Sequence, residues 1–194
     1  MNDYLSIDYY DPGRDENLTY KFEYGNVYIF FSDEPGIQEK FFSSASEKVF
    51  FINSFFKSAI KVPTYFEKNK RKLLEMRSVL NASNMFPLML GDYGIYDKIL
   101  LILLAELKTA KNVVIETAGL SEASIVNLIS FSSMLMKLNS DKLIVLVDNN
   151  YSDMNLKLIM KIEESNIGKN LIDWIPVEFK HNIIKFSVSP HVKS

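Results

Sequence analysis

The feature that most constrains this chain is a set of short, almost unbroken apolar runs separated by longer stretches of helical periodicity. Runs at 26–31 (NVYIFF), 48–52 (KVFFI), 112–115 (NVVI) and 142–147 (KLIVLV) are rich in β-branched and aromatic residues. They lack the in-out alternation of a strand with one wet face. Such strands must be covered on both sides, which is the condition of a parallel sheet between layers. A fifth, weaker run lies at 180–188 (KHNIIKFSV).

Between the runs the period changes. Thr64 and Glu67 are spaced as a capping box at the head of a predicted helix over 65–80, whose outer face carries Lys68, Lys70, Arg71 and Lys72. Residues 96–108 are nearly all apolar, which predicts a helix enclosed on most sides. Segment 122–138 repeats apolar residues at Ile125, Leu128, Ile129 and Leu135, and 151–164 does so at Met154, Leu158 and Ile162. Buried strands alternating with helices predict an α/β domain with a mainly parallel sheet and flanking helices. The beginning departs from this pattern. Segments 4–10 and 18–23 read as two strands about the turn Asp11-Pro12-Gly13, a small N-terminal antiparallel β region. No repeat, linker or low-complexity segment divides the chain. A single domain over 1–194 is expected, with a short helical excursion at about 63–96.

Composition excludes several functions. The chain has 194 residues, 22 Lys+Arg against 24 Asp+Glu, and no cysteine. Zinc fingers, thiol catalysis and disulfide scaffolds are therefore excluded. Near-neutral charge argues against a nucleic-acid partner. His181 and His191 come late and without HExxH spacing, so no metal site and no Ser-His-Asp triad is expected. The first ten residues are polar and acidic, unlike a signal peptide. The longest apolar run, 99–105, is far short of the ~20 residues of a membrane helix. A cytoplasmic protein without a transmembrane segment is expected, placed at most peripherally on the inner face of a membrane.

Glycine is scarce, 7 of 194, about half the usual share. Loops that hold phosphates on backbone amides need glycines where those amides turn inward.

In order, the pieces resemble the ATP-binding domain of ABC transporters and related ABC ATPases, a P-loop NTPase-like fold. The resemblance covers roughly 18–150. It is carried by an antiparallel β region, then 18–31 running into a phosphate loop at 32–40, and then Leu90-Gly91-Asp92-Tyr93-Gly94-Ile95 opening the apolar helix. It continues with the strand and loop Asn112-Val113-Val114-Ile115-Glu116-Thr117-Ala118-Gly119-Leu120-Ser121 and the strand ending at Asp148 and Asn149. The family's phosphate loop reads GxxxxGK[ST], in which glycines free the amides, lysine neutralises phosphate and the hydroxyl holds Mg²⁺. Counted from Gly25, Ser32 takes the first glycine position, Ile37 the second, Gln38 the lysine and Glu39 the hydroxyl. A shifted register brings Lys40 to the lysine place but puts Glu34 and Glu39 at the glycines. The candidate loop residues are thus Ser32, Gly36, Gln38, Glu39 and Lys40, among carboxylates that repel a polyanion.

The other positions that the resemblance implies depart in the same direction. Glu116 stands for either the metal-holding aspartate or the water-activating glutamate, so one carboxylate remains for two tasks. Asn149 takes the place of the histidine that senses the γ-phosphate. Asp92 and Tyr93 occupy the signature that would cap a partner's nucleotide. The loop at 118–121 resembles the family's dimer-contacting loop. The crowd of aromatics at Phe41, Phe42, Phe50, Phe51, Phe55, Phe56, Tyr65 and Phe66 exceeds what a small core absorbs, so part of it is expected as a partner surface. In the resembling family this region meets the membrane subunit.

The expectation is a non-catalytic pseudo-ATPase, with no cofactor and no catalytic residue. It acts as an accessory or docking subunit of an ABC-type transport assembly, with Phe55, Phe56, Gly119 and Leu120 as partner-binding residues. The partner is an ABC ATPase, an ABC membrane subunit or a second copy of the chain. Two alternatives remain open: a divergent but active ABC-type ATPase using ATP, Mg²⁺ and Glu116 as base, and a self-associating regulatory or defence scaffold. The plainer readings are that Glu116 is a strand-end residue, that 33–36 is a β-turn, and that the lysine cluster at 68–72 is a solvated helix face.

Overall fold

The computed structural model describes residues 4–11, 15–32, 34, 36–44, 48–53, 90–148, 174–180 and 183–188. Strands β1 (Tyr4–Asp11) and β2 (Glu16–Glu23) pair antiparallel from Tyr4↔Glu23 to Asp11↔Glu16. Six further strands form one sheet: β3 (Val27–Phe31), β4 (Val49–Ile52), β5 (Asn112–Glu116), β6 (Leu143–Asp148), β7 (Trp174–Lys180) and β8 (Ile183–Val188). Their spatial order is β4-β5-β6-β3-β8-β7. The four from β4 to β3 are parallel, and β8 adds antiparallel to β3.

Among the described residues, three helices accompany the sheet: α1 (Ile37–Ser44), α2 (Ile95–Glu106) and α3 (Glu122–Leu138). A single 3-10 turn at Leu90–Asp92 precedes α2. Alternate residues of each central strand feed opposite faces, the period-two geometry of a pleat. Val113, Ile115, Ile144, Leu146, Ile29 and Phe31 join the buried cluster of α2 and α3. Val114, Val145, Val147, Tyr28 and Phe30 join the cluster of the β1–β2 hairpin and α1. The result is three layers: two helices, the sheet, then the hairpin with α1. This is why the central runs are apolar without alternation.

The hairpin layer is held by rings. Phe30, fully buried, meets Tyr9, Tyr20, Phe22 and Phe41 with centroids 5.3–6.2 Å apart, mostly edge to face. Aromatic pairs at such distances add about 0.5–1.5 kcal/mol each beyond the area they bury. Part of the aromatic crowd is therefore core: Phe41 is buried, Phe50 and Phe51 are half-buried, and Phe42 is exposed and leans on Phe51 at 6.3 Å. Phe55, Phe56, Tyr65 and Phe66 lie outside the described residues, as do Asn149, the predicted helices over 65–80 and 151–164, the lysine cluster and most of the excursion at about 63–96.

Three local expectations change. The stretch after the first core strand is not a plain loop but enters the eight-residue helix α1. The run at 180–188 is not one strand: β7 ends at Lys180 and β8 begins at Ile183, the two pairing antiparallel. β7 was concealed by Pro176, whose missing amide suits an outer strand, and the pairing shifts register between Pro176 and Glu178.

Candidate functional site

Parallel strands of an α/β sheet present their carboxyl ends along one edge, where ligands of such folds bind. Here β3, β4, β5 and β6 lead into Ser32, Asn53, Thr117 and Asp148 at that edge. Adjacent strands are joined beyond their last pairs. Ser32 N donates to Asp148 O at 3.0 Å and Thr117 N to Val147 O at 3.0 Å. Thr117 Oγ1 also donates to Asp148 Oδ2 at 2.7 Å, and both side chains are buried.

The loop after β3 is folded upon itself. Ser32 Oγ accepts from Glu34 N at 3.1 Å, Glu34 O accepts from Ile37 N at 3.3 Å, and Gly36 O accepts from Glu39 N at 2.9 Å. Gly36, at φ +79°, supplies the left-handed residue that lets the chain turn into α1. Lys40 Nζ lies 2.9 Å from Glu34 Oε1 and 5.4 Å from the centre of the Tyr9 ring. Glu34 Oε2 is buried and has no hydrogen-bond partner among the described residues. Glu39 is exposed; the side chain of Gln38 lies outside what is described. The sequence-based loop residues Ser32, Gly36, Glu39 and Lys40 are thus brought together, but around a carboxylate of their own chain.

Glu116 ends β5, half-buried, on the pleat side of Val114 and so toward the hairpin and α1. It makes no hydrogen bond or ion pair among the described residues. Beyond it, Leu120 N donates to Thr117 O at 2.9 Å, closing a tight turn. Gly119 sits in that turn at φ +81°, where a Cβ would come within 3.4 Å of Ile95 Cδ1. Leu120 packs on the main core, and Ser121 caps α3 by accepting from Ser124 N at 3.2 Å. The loop expected to make dimer contacts therefore touches the first residue of α2, while Phe55 and Phe56, the other expected partner residues, lie outside the described residues.

The start of α2 is acidic and aromatic. Asp92 and Asp97 are exposed beside the half-buried Tyr93 and Tyr96. Burial first, then Asp97 and Asp92, pushes the Tyr93 phenol up to about 12. Burial and Asp97 push Tyr96 up to about 12. Both tyrosines therefore stay neutral at neutral pH. Among the described residues no group of three His, Asp or Glu side chains is placed to hold a metal ion.

Two solved structures are similar to this arrangement of strands and helices. An ABC transporter of metal-chelate type, solved in an inward-facing conformation, matches with TM-score 0.51 at 13% identity over 75% of this chain and 73% of that one. The chain has an ABC ATPase-like fold. The cbiO1 protein of Clostridium perfringens, part of the ABC transporter complex cbiONQ, matches this ABC ATPase-like chain with TM-score 0.50 at 10% identity, over 77% of this chain and 80% of its own. No protein-family model matches the sequence, and no curated protein matches it. The likeness therefore lies in the fold: a mostly parallel sheet with helices and a small two-stranded antiparallel sheet. Among the described residues no helix is long and apolar enough to cross a membrane.

The register of β5 and β6 brings two further residues of that edge together. Thr117 and Asp148 lie on one face of adjacent strands, and their types alone, a hydroxyl and a carboxylate each following an apolar run, were the available signal.

Proposed function

We propose that this ABC ATPase-like chain is a non-catalytic pseudo-ATPase, an accessory or docking subunit of an ABC-type transport assembly. The observation that carries the reading is the Lys40–Glu34 ion pair. The one ammonium in the loop is matched by a carboxylate of the same loop, where a nucleotide-binding loop would keep it for phosphate. The amides of Ser32, Glu34, Ile37 and Glu39 are likewise engaged by the chain itself. ATP and Mg²⁺ do not fit residues arranged in this way: the loop adds Glu34 and Glu39 next to the site of a polyanion, and Thr117 follows Glu116 where a second carboxylate would be needed. The role left to the domain is to lend shape and contacts, through 118–121 and the aromatic region that includes Phe55 and Phe56. Its partner is an ABC ATPase, an ABC membrane subunit or another copy, at the cytoplasmic face of the membrane.

Thermal melting with Mg-ATP tests the reading. A ligand at a hundred times its Kd adds about 2.7 kcal/mol, so true binding is readily seen. No shift is expected at millimolar ATP. A shift that Glu116→Gln or Lys40→Ala abolishes would overturn the proposal in favour of a divergent ATPase. Docking is tested by co-purification with an ABC membrane complex before and after Phe55 and Phe56 are replaced by serine; an unchanged complex would remove the aromatic region from the interface.

A further inference from the structure

The β1–β2 hairpin lies over the sheet with one strand edge open. Among the described residues β2 pairs with β1 alone. Glu23 stands opposite Tyr4 in that ladder, yet its N–H donates to Tyr28 Oη at 2.9 Å and its C=O accepts from Asn26 Nδ2 at 3.3 Å. Both backbone groups of Glu23 therefore point away from β1. Such groups alternate in direction along an antiparallel strand, so the N–H and C=O of Lys21 and Thr19 also point away from β1. Tyr28 and Asn26 close the edge at Glu23, but among the described residues no hydrogen bond reaches the outward backbone groups of Lys21 and Thr19.

The side chains of these two residues leave the edge clear. Lys21 Nζ lies over the Tyr4 ring of β1, 4.9 Å from its centroid, and Thr19 Oγ1 donates to Asp8 Oδ1 of β1 at 2.8 Å. Beside the edge is a cavity of about 310 Å³, bordered by Thr19, Lys21 and Glu23 of β2 and by Tyr28 of β3 with Ile183 and Lys185 of β8. Tyr28 and Lys185 are opposite one another in the β3–β8 ladder, and Tyr28 and Ile183 belong to the buried cluster of the hairpin layer, so these three face the hairpin. The Lys185–Glu23 ion pair stands at the end where the edge closes. The cavity is a slot with a strand edge for one wall and a sheet face for its floor. That floor separates this edge from one that merely ends at solvent.

We infer that the slot is a strand-addition site, in which an extended segment of a partner protein pairs with the backbone of Thr19 and Lys21 as a third strand of the hairpin's sheet. The occupant is an extended peptide because the open groups are N–H donors and C=O acceptors repeated along a strand, the pattern that another strand's backbone matches. From Thr19 to Glu23 the wall runs roughly 13 Å, the reach of four to five extended residues. Alternate side chains of the added strand face Ile183 and the stem of Lys185, which selects apolar residues at the inward positions and leaves the others to solvent. The site asks nothing of the loop after β3, so it is tested apart from the pseudo-ATPase reading.

An amide NMR titration and hydrogen exchange on the full chain test it, with the blocked peptide acetyl-Thr-Val-Thr-Val-Thr-amide as probe. At millimolar peptide the Thr19 and Lys21 amides are expected to shift and to exchange about tenfold more slowly, while β5 and β6 are unchanged. The same peptide with every backbone nitrogen methylated cannot donate to the edge and is expected to do neither. Lys21→Pro removes one outward N–H without touching the ladder to β1 and is expected to raise the dissociation constant about tenfold or more. The methylated peptide carries the test on the wild-type chain should that variant fail to fold. No response of Thr19 and Lys21, protection that the methylated peptide reproduces, or undiminished binding by folded Lys21→Pro would overturn the inference. So would a wild-type dimer in sedimentation whose Thr19 and Lys21 amides are already protected, because the edge would then belong to a second copy of the chain.

Discussion

Thr117 Oγ1 donates to Asp148 Oδ2 at 2.7 Å, joining the carboxyl ends of β5 and β6. Asp148 is 5% exposed, and a buried carboxylate that loses a donor costs about 1–3 kcal/mol. Thr117→Val is therefore expected to lower unfolding stability by that amount in a denaturant titration. Thr117→Ser, which keeps the hydroxyl, should recover most of it.

The Lys40–Glu34 pair should behave differently. Its side chains are 30% and 31% exposed, and pairs of that kind contribute about 0–1 kcal/mol. Lys40→Ala is expected to leave stability within about 1 kcal/mol of the wild type. A larger loss would show that the lysine's place over Tyr9 matters more than its charge.

Phe30 predicts the largest effect. Truncating a fully buried phenylalanine costs about 3–5 kcal/mol, and this ring is shared by β1, β2 and α1 through Tyr9, Tyr20, Phe22 and Phe41. Phe30→Ala should cut stability by that amount and release the hairpin first. Hydrogen exchange would register this as lost protection in β1 and β2 ahead of β5 and β6.

Alkaline pH should act on the start of α2. An unfolded tyrosine titrates near 10.0, while Tyr93 and Tyr96 in the folded chain reach about 12. The fold thus holds these two protons more tightly than the unfolded chain does. The stability so gained is complete below pH 10 and is lost as pH rises through about 12. Alkaline unfolding followed together with phenolate absorbance checks this. Asp97→Asn should lower both phenols toward, but not to, the ordinary value, because burial is the larger cause for each.

Gly119 offers a conformational test. Its φ of +81° and the 3.4 Å approach of a would-be Cβ to Ile95 make Gly119→Ala strained, by about 1–2 kcal/mol for the left-handed backbone. A smaller change in melting would mean that the turn at 118–121 can adopt another conformation.

Much of this was legible in the sequence because burial on two faces leaves a plain mark. The runs containing Val27, Val49, Val113 and Leu143 are apolar at successive residues since α2 and α3 cover one face of the sheet and the hairpin with α1 covers the other. Helix α3 showed itself through its one-sided repeat at Ile125, Leu128, Ile129 and Leu135. Short α1 did not, because Ile37 and Phe41 are its only buried apolar residues with described side chains, too few to establish a period. At the site, the acidic character of the loop after β3 could be read from Glu34 and Glu39. That Glu34 turns back on Lys40 depends on the local turn through Gly36, and that Thr117 reaches Asp148 depends on strand order. Order is set by which faces fit, and no local pattern in one chain encodes that β6 lies between β5 and β3.

That strand order also governs when the protein can acquire its shape. β3 pairs with β6 through Val27↔Ile144 and with β8 through Val27↔Phe186, so both neighbours of this early strand are made late. During synthesis the β1–β2 hairpin can close at once, while Val27, Tyr28, Ile29, Phe30 and Phe31 wait with both backbone edges unpaired. Loop closures of that length are slow and leave apolar edges open to wrong partners. The central strand is thus fully buried in the finished domain and open to wrong partners while the ribosome is still at work.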